Sequence, residues 1–331
     1  MTVLVTGGAG YIGSHMVLEL IDAGEKVVVI DNLSTGFRWA VAPAAHLVVG
    51  DIADQDLVRE TIVRYGVEAI IHFAGSIVVP DSVVDPLGYY LNNTVKSRAL
   101  LEVAVDTGVS HFIFSSTAAV YGNPRELPVS ENAPPAPMSP YGSSKLMTEV
   151  MLADTARAHP LSFVALRYFN VAGADPQGRT GQSTPRATHL IKVACETALG
   201  QRQHMDVFGT DYETVDGTCV RDYIHVKDLA RAHVAALSYL RQGGASEIFN
   251  CGYSQGYSVH QVIDAVKRVS GVDFPVRLAP RRAGDPAAIV AASDKIRATL
   301  GWQPQLDDLD TIVHHALAWE RQLSTRLKQC A

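Results

Sequence analysis

Short apolar runs alternate with segments of helical periodicity through the first half of the chain. Runs that are apolar at every position are typical of strands buried on both faces, and such strands, separated by helices, form a parallel sheet with right-handed crossovers. The pattern therefore predicts an α/β fold with a doubly wound parallel sheet. The predicted strands contain residues 3–5, 27–30, 47–49, 69–73, 112–114 and 163–166.

The pattern also predicts two regions of different character. Six prolines crowd residues 124–140, which indicates an extended loop leading to Tyr141. After Asn170 the sequence becomes rich in glycine, proline and polar residues. We therefore expect residues 1–170 to form the parallel-sheet domain and residues 171–331 a smaller mixed α/β domain. Helical periodicity in residues 226–240 suggests that residues 222–241 pack back onto the first domain.

Composition narrows the classes of partner and compartment. The 331 residues are 47% hydrophobic and carry a formal charge of −6, which disfavours a nucleic-acid partner. The four cysteines, Cys195, Cys219, Cys251 and Cys330, include no C-x-x-C pair, so we expect neither a metal site nor disulfides. Neither a signal peptide nor a membrane span is apparent. We expect a cytoplasmic protein with reduced thiols.

A glycine-rich turn follows the first predicted strand and precedes a predicted helix over residues 14–23. Gly7, Gly10 and Gly13 would let the backbone approach a pyrophosphate, which the helix N-terminus stabilises. Asp31 ends the second strand near the spacing at which an acid binds the ribose hydroxyls, which favours NAD over NADP. The alternative is that Asp31 is a cap or turn residue. The sequence predicts a Rossmann-type dinucleotide site.

Two stretches carry candidate catalytic groups. Residues 115–117 end a predicted buried strand in three hydroxyl side chains, a feature that ordinary turn chemistry can also explain. Tyr141 and Lys145 are four residues apart, so on a helix they share one face. A nearby cation stabilises a phenolate, and we therefore expect Lys145 to lower the pKa of Tyr141. The alternative for this pair is an exposed helical contact.

Nine motifs occur in the order found in extended short-chain dehydrogenase/reductases, and the chain resembles that family over nearly its whole length. More narrowly, it is similar to the members that epimerise UDP-sugars at C4. The motifs are TGGAGYIGSH, DNLSTG, GDI, HFAG, SSTAAVYG, YGSSK, RYFNVAGA, GTCVRDYIHVKDLA and APRRAGDP.

The resemblance implies three catalytic residues. Tyr141 would be the base, Lys145 its partner at the nicotinamide ribose, and Thr117 a hydrogen-bond partner of the sugar 4-hydroxyl. Related 4,6-dehydratases carry an Asp-Glu pair where this chain has Ala118 and Ala119. The resemblance thus implies an epimerase without dehydratase chemistry.

Further site residues follow from the same resemblance. The implied NAD-binding set is Gly7, Gly10, Tyr11, Ile12, Gly13, Asp31, Asn32, Asp51, Ile52, Phe73, Ala74, Gly75, Asn92, Tyr141, Lys145 and Phe169. The implied set at the UDP-sugar is Thr117, Tyr141, Asn170, His189, Phe208, Arg221, Arg282, Asp285 and Ile289. Some relatives have asparagine at the position of His189, lysine at that of Ile77 and a bulkier tyrosine at that of Ile289.

The expected activity is interconversion of UDP-galactose and UDP-glucose through a 4-keto intermediate, with NAD retained, in a homodimer. One alternative is a sister epimerase acting on UDP-glucuronate, a UDP-pentose or a UDP-N-acetylhexosamine, which would share every catalytic residue. A third hypothesis is a non-enzymatic NAD-sensing regulator. Such regulators typically lack the tyrosine-lysine pair that is present here.

Overall fold

The computed structural model describes residues 1–185, 187–282 and 285–329, and the side chains only as far as residue 325. Thirteen strands lie in the described ranges: β1 (Thr2–Thr6), β2 (Lys26–Asp31), β3 (His46–Val49), β4 (Val67–His72), β5 (His111–Thr117), β6 (Ser162–Tyr168), β7 (Asn170–Ala172), β8 (Met205–Phe208), β9 (Val220–His225), β10 (Glu247–Cys251), β11 (Gly256–Ser258), β12 (Val276–Ala279) and β13 (Ala288–Ile289). All six strands predicted from the apolar runs are present.

Eleven α-helices connect these strands in the described ranges: α1 (Tyr11–Asp22), α2 (Gln55–Tyr65), α3 (Val79–Val84), α4 (Pro86–Tyr89), α5 (Lys96–Asp106), α6 (Pro140–Ala158), α7 (Leu190–Ala198), α8 (Val226–Arg241), α9 (Val259–Ser270), α10 (Asp294–Leu300) and α11 (Leu309–Gln329). A π-helical turn, Tyr90–Val95, joins α4 to α5, and a 3-10 turn, Ala118–Tyr121, follows β5. No helix in the described part of the chain is long and apolar enough to span a membrane.

The central sheet has seven parallel strands in the order β10-β6-β5-β4-β1-β2-β3. Its middle strands are buried on both faces, as their unbroken apolar runs require; Val3, Leu4 and Val5 are inaccessible to solvent. One face packs into a core with α1 and α8, and the other packs into a core with α2, α5 and α6. This is the doubly wound, Rossmann-type architecture that the sequence predicts.

The region after Asn170 forms two small sheets and also supplies elements that pack with the central sheet. Strands β7, β9, β11 and β13 form a small mixed sheet, and β8 pairs with β12. Helix α8, within residues 222–241, packs against α1. Strand β10 pairs with β6 at the edge of the central sheet. Two elements from residues 171–331 therefore lie in the layers of the Rossmann-type sheet.

The loop before α6 has the irregular course that its prolines predict. No helix occurs across the described stretch 122–139, and Ala136 N–H donates to the carbonyl of Val120 at 2.9 Å. Ser139 caps α6, its Oγ accepting from Gly142 N–H at 3.2 Å. Tyr141 therefore lies in the first turn of a helix whose start is fixed.

Three cysteines, Cys195, Cys219 and Cys251, are buried without disulfide partners in the described part of the chain. Cys330 lies outside the described residues.

Candidate functional site

Most of the predicted site residues lie at the carboxyl edge of the central sheet. Gly7 follows β1, Asp31 ends β2, Phe73 follows β4, Thr117 ends β5 and Phe169 follows β6. Because the strands are parallel, these ends meet along one edge, which is where open α/β sheets bind ligands. The topology therefore brings together residues as far apart in the sequence as Gly7 and Phe169.

The glycine turn after β1 is too tight for side chains. Gly7 has φ +70°, and a Cβ built there would lie 2.7 Å from the backbone nitrogen of Ala74. A Cβ at Gly13 would lie 2.1 Å from the carbonyl oxygen of Gly7. Helix α1 starts directly after this turn, with Gly10 as its N-cap residue. No side chain in the described ranges caps the helix. The turn thus fits a pyrophosphate held by backbone N–H groups and the helix dipole.

Asp31 organises the turn from the neighbouring strand. Its carboxylate accepts hydrogen bonds from Ala9 N–H at 2.9 Å and from Leu33 N–H at 2.8 Å. The Leu33 contact is the turn interaction that the alternative hypothesis expected. Asp31 is thus a structural residue, and its contact with a ribose remains a prediction.

The remaining predicted cofactor residues border the same edge. Tyr11 donates to the carbonyl of Gly173 at 2.7 Å, which connects α1 to the chain after β7. Asp51 pairs with Lys96 at 2.5 Å. Asn92 donates to Ser76 Oγ at 2.9 Å, next to the turn formed by residues 73–75. Ile12, Asn32 and Ile52 lie at the start of α1 and after β2 and β3.

The catalytic residues meet where β5 and α6 approach each other. Tyr141, Lys145 and Thr117 are all buried, and the Thr117 hydroxyl is close enough to Tyr141 to lower the pKa of its phenol. Lys145 Nζ donates to the backbone carbonyl of Ser115 at 2.9 Å and lies 4.9 Å from the centre of the Phe114 ring. The pair is therefore not an exposed helical contact, which was the alternative hypothesis.

The pKa of Tyr141 corrects one expectation. Burial raises the pKa of Tyr141 above its usual range, and the nearby Thr117 hydroxyl offsets part of that rise. We expected Lys145 to lower this pKa, and for the protein groups alone that expectation is wrong. Burial also lowers the pKa of Lys145, to about 8. Helical spacing predicts that the two groups are close, but it does not predict the desolvation of both.

Each hydroxyl at the end of β5 has a different partner. Ser115 bonds the hydroxyl of Tyr168, Ser116 donates to Glu149, and Thr117 Oγ1 accepts from the backbone N–H of Ala119 at 3.2 Å. Side chains alternate along a strand, so Ser115 and Thr117 lie on one face and Ser116 on the other. Thr117 thus makes the turn contact that ordinary strand-end chemistry predicts, whereas Ser115 and Ser116 bond side chains of β6 and α6.

Asn93 is a residue of the site that the sequence analysis missed. Its side chain is buried and accepts from Ser76 N–H at 2.7 Å, while its amide donates to Ser144 Oγ at 3.0 Å. It thereby connects the turn after β4 to the catalytic helix. The neighbouring Asn92 was the residue predicted, and the only sequence signal for Asn93 is this adjacency.

The predicted UDP-binding residues form two contacts of their own. The guanidinium of Arg282 lies 3.7 Å from the centre of the Phe208 ring, in a cation–π arrangement. Arg221 lies 3.8 Å from the carboxylate of Asp285. The APRRAGDP motif includes residues 283 and 284, which lie outside the described residues. Two exposed or half-buried arginines next to an aromatic ring suit a nucleoside diphosphate.

The sugar-side residues lie on elements after β6, and the structure brings two of them together in one cavity. Asn170 and His189 line one cavity together with Tyr11. Burial and the charge of Lys192 lower the pKa of His189, so its imidazole is neutral at physiological pH. Ile289 is buried in an apolar cluster with Ala118 and Phe169, and it pairs with Arg221 in the small sheet. Ile289 thus connects Arg221, a predicted phosphate-binding residue, with Ala118, which directly follows Thr117.

A Rossmann-type sheet with a glycine turn and a buried Tyr-x-x-x-Lys helix defines a nicotinamide-dependent enzyme of the short-chain dehydrogenase/reductase class. Residues 3–252 match the model of the NAD dependent epimerase/dehydratase family. The chain belongs to this family.

Individual relatives are similar over almost the whole chain. The UDP-glucose 4-epimerase of Azospirillum brasilense is 57% identical over 327 residues, which are 99% of this chain and 94% of that protein. A crystal structure of UDP-glucose 4-epimerase from Brucella ovis in complex with NAD has a TM-score of 0.93 and 45% identity, covering 96% and 97% of the two chains. The UDP-Glc/GlcNAc 4-epimerase of Campylobacter jejuni has a TM-score of 0.85 and 49% identity, covering 97% and 99%.

Proposed function

We propose that this chain is an NAD-dependent epimerase that interconverts UDP-galactose and UDP-glucose by inverting C4 of the sugar. The observation that carries the proposal is the buried arrangement of Thr117, Tyr141 and Lys145 at the end of β5. The Azospirillum relative, named for this activity, supports it at 57% identity. A regulator without activity would not need to keep these three polar groups desolvated.

We assign NAD binding to residues 1–170 together with α8 and β10, and sugar-nucleotide binding to the rest of residues 171–331. Gly7, Gly10 and Gly13 would hold the pyrophosphate, and Asp31 the adenosine ribose. The carboxylate of Asp31 would repel a 2′-phosphate, which favours NAD over NADP. When bound, NAD supplies a reversible two-electron acceptor for C4 of the sugar.

Tyr141 is the proton acceptor in this mechanism. Thr117, whose hydroxyl lies near the phenol, would pass the proton of the sugar 4-hydroxyl to it. Because burial raises the pKa of Tyr141, the phenolate needs positive charge nearby. Lys145 provides one charge, and the oxidised nicotinamide would provide a second. The proton returns to the sugar from Tyr141 when C4 is reduced from its other face.

Inversion requires that the 4-keto sugar turn over while the nucleotide stays bound. Arg221 and Arg282 would hold the diphosphate as an anchor, with Phe208 next to the uracil. Asn170 and the neutral His189 can hydrogen-bond sugar hydroxyls in either orientation. The sugar itself would be held by few fixed contacts, so that it can rotate about its link to the diphosphate.

The family includes dehydratases, and two residues favour the epimerase reaction. Ala118 and Ala119 occupy the 3-10 turn directly after Thr117. Methyl groups cannot act as the acid and base that elimination of water across C5 and C6 requires.

A substrate panel tests the proposal. Purified protein is incubated separately with UDP-galactose, UDP-glucuronate, UDP-xylose and UDP-N-acetylgalactosamine, and the products are resolved by chromatography. We expect UDP-galactose to give UDP-glucose at the highest rate. Preferred conversion of UDP-glucuronate or UDP-xylose would assign a sister activity, and conversion of none would favour the regulator.

A second substrate class is supported at the Ile289 position. A tyrosine there would fill space that an N-acetyl group at C2 needs, whereas isoleucine lacks the ring and the hydroxyl and would fill less of it. The Campylobacter enzyme, 49% identical, is described as acting on both UDP-Glc and GlcNAc. We therefore propose some activity on UDP-N-acetylglucosamine.

We propose a homodimer assembled through the outer faces of the Tyr90–Val95 turn and α6. Apolar side chains spaced by four residues are exposed there, and α6, which packs against this turn, exposes two more. Contiguous exposed apolar patches mark association surfaces. The patch consists of Leu87, Leu91, Val95, Met147 and Val150.

We place the enzyme in the cytoplasm and in galactose metabolism. The buried, unbridged thiols of Cys195, Cys219 and Cys251 support a reducing compartment. The metabolic assignment rests on the proposed interconversion of UDP-galactose and UDP-glucose.

A further inference from the structure

Three buried ionisable groups lie on successive turns of one face of α6. Tyr141, Lys145 and Glu149 are spaced by four residues, and each is more than nine-tenths buried. The first two belong to the proposed reaction, and the third has no assigned role. A buried carboxylate is costly unless it is paired, so its retention next to Lys145 calls for a physical reason.

The contacts of Glu149 extend from the catalytic helix to the catalytic strand. Arg167 of β6 binds the carboxylate with both arms of its fork, through Nε at 2.9 Å and Nη2 at 2.6 Å. Ser116 of β5 donates to the same carboxylate at 2.5 Å. Ser116 lies between Ser115, whose carbonyl accepts from Lys145, and Thr117, whose hydroxyl lowers the pKa of Tyr141. Glu149 thus fixes the strand segment that presents both contacts.

Arg167 is fixed in turn from its other side. Its Nη1 donates to the hydroxyl of Tyr121 at 3.0 Å, and Tyr121 donates to Asn250 at 2.7 Å. Tyr121 lies in the 3-10 turn after Thr117, and Asn250 lies in β10. The network therefore surrounds the end of β5 and leaves the carboxylate little freedom to move.

We propose that Glu149 is a positioning residue, which keeps Lys145 in its cationic form and holds the end of β5 against α6. It does so without contacting substrate or cofactor. The inference rests on the proposed function, because the charge of Lys145 matters only if Tyr141 acts as a base.

The electrostatics agree with this geometry. Burial lowers the pKa of Lys145 to about 8, and the charge of Glu149 opposes that fall. Of the other ionisable groups, His72 on β4 interacts with Lys145, Tyr141 shares its face of α6, and Arg167 and Tyr168 on β6 bind Glu149 and Ser115. Burial and the charge of Lys145 lower the pKa of His72 to about 3, so His72 is neutral. Glu149 is therefore the anion that supports the cation.

The test is the pH profile of Glu149→Gln holoenzyme. Without the carboxylate, the pKa of Lys145 falls and the ammonium loses its proton at lower pH. We expect the high-pH limb of the kcat profile for UDP-galactose to shift to lower pH by about one unit. A shift of this size is typical when a group loses a nearby opposite charge. We expect kcat at pH 8 to fall about fivefold, while KM stays within about twofold because Glu149 does not contact the sugar nucleotide.

Two variants serve as controls. Glu149→Asp keeps the charge and should restore the limb to that of the parent. Glu25→Gln breaks a different arginine pair, with Arg241, and should leave the profile unchanged. If Glu149→Gln does not fold, Glu149→Gln/Arg167→Gln removes both charges and should give a smaller shift in the same direction, because the lost guanidinium partly offsets the lost carboxylate.

An unchanged high-pH limb in a folded Glu149→Gln or double variant would overturn the inference. A parent enzyme that converts no UDP-galactose would overturn the proposed function instead. NMR titration of 13C-labelled lysine separates the two outcomes, because it reports the pKa of Lys145 without activity. The inference requires a lower pKa in the variant than in the parent.

Discussion

The Lys145 ammonium donates to the carbonyl of Ser115 at 2.9 Å, so the catalytic helix is joined to the strand end that holds Thr117. This contact fixes Lys145, and with it the helix that carries the proposed base Tyr141, without any ligand. Thr117 reaches Tyr141 from the same strand, two residues later. Strand β5 and helix α6 thus determine both the site of proton transfer and the position of the Lys145 cation.

Replacing Tyr141 by phenylalanine should abolish turnover while preserving binding. The ring remains in place, but the proton acceptor is lost, and groups of this kind contribute about 10²–10⁴-fold in rate. The measurement is kcat for UDP-galactose together with NAD content and UDP-galactose affinity. Tyr65→Phe, on α2, is the matched control and should retain parental activity. A Tyr141→Phe variant within a few-fold of the parent would exclude Tyr141 as the base.

The purified protein should release NAD, and not NADP, on heat denaturation. Asp31 hydrogen-bonds Ala9 and Leu33, so an alanine would also damage the glycine turn. Asp31→Asn keeps an acceptor oxygen but removes the charge, and it should lower NAD retention and permit some NADP binding. Mass spectrometry of the released cofactor is the readout. A 2′-phosphate on the cofactor of the parent would refute the assignment.

Ile289→Tyr should reduce activity on UDP-N-acetylglucosamine far more than on UDP-galactose. Apolar pocket differences are worth about 1–3 kcal/mol, so a graded preference is expected. Because Ile289 is buried against Ala118 and Phe169, the larger ring also costs about 1–3 kcal/mol of stability by overpacking. Melting temperatures and the Ile289→Val variant therefore accompany the assay. Equal loss on both substrates would make Ile289 a packing residue only.

A charge in the apolar patch should dissociate the dimer. Leu91 is half exposed at the centre of the patch, and Leu91→Asp would bury a carboxylate in the proposed interface. Sedimentation velocity should give a dimer for the parent and a monomer for the variant. Val63→Asp, an exposed apolar position on α2, should remain dimeric. A monomeric parent would contradict the assembly.

The sequence predicts the sheet well because each of its first six strands has an unbroken apolar run. It does not predict β10, because the run Glu247–Cys251 includes polar Glu247 and Asn250, and its place depends on pairing with β6. Asn93 was missed because the π-helical turn at Tyr90–Val95 departs from ordinary helical periodicity. The pKa of Tyr141 was misjudged because it depends on burial, which spacing does not determine.

The most direct test of the central claim follows the hydrogen at C4. UDP-galactose deuterated at C4 is incubated with the purified protein, and the UDP-glucose product is examined by NMR and mass spectrometry. Oxidation and reduction of C4 within one site predict inverted product that retains deuterium at C4, with no net change in NAD. Conversion with loss of deuterium to solvent, or no conversion, would contradict the account.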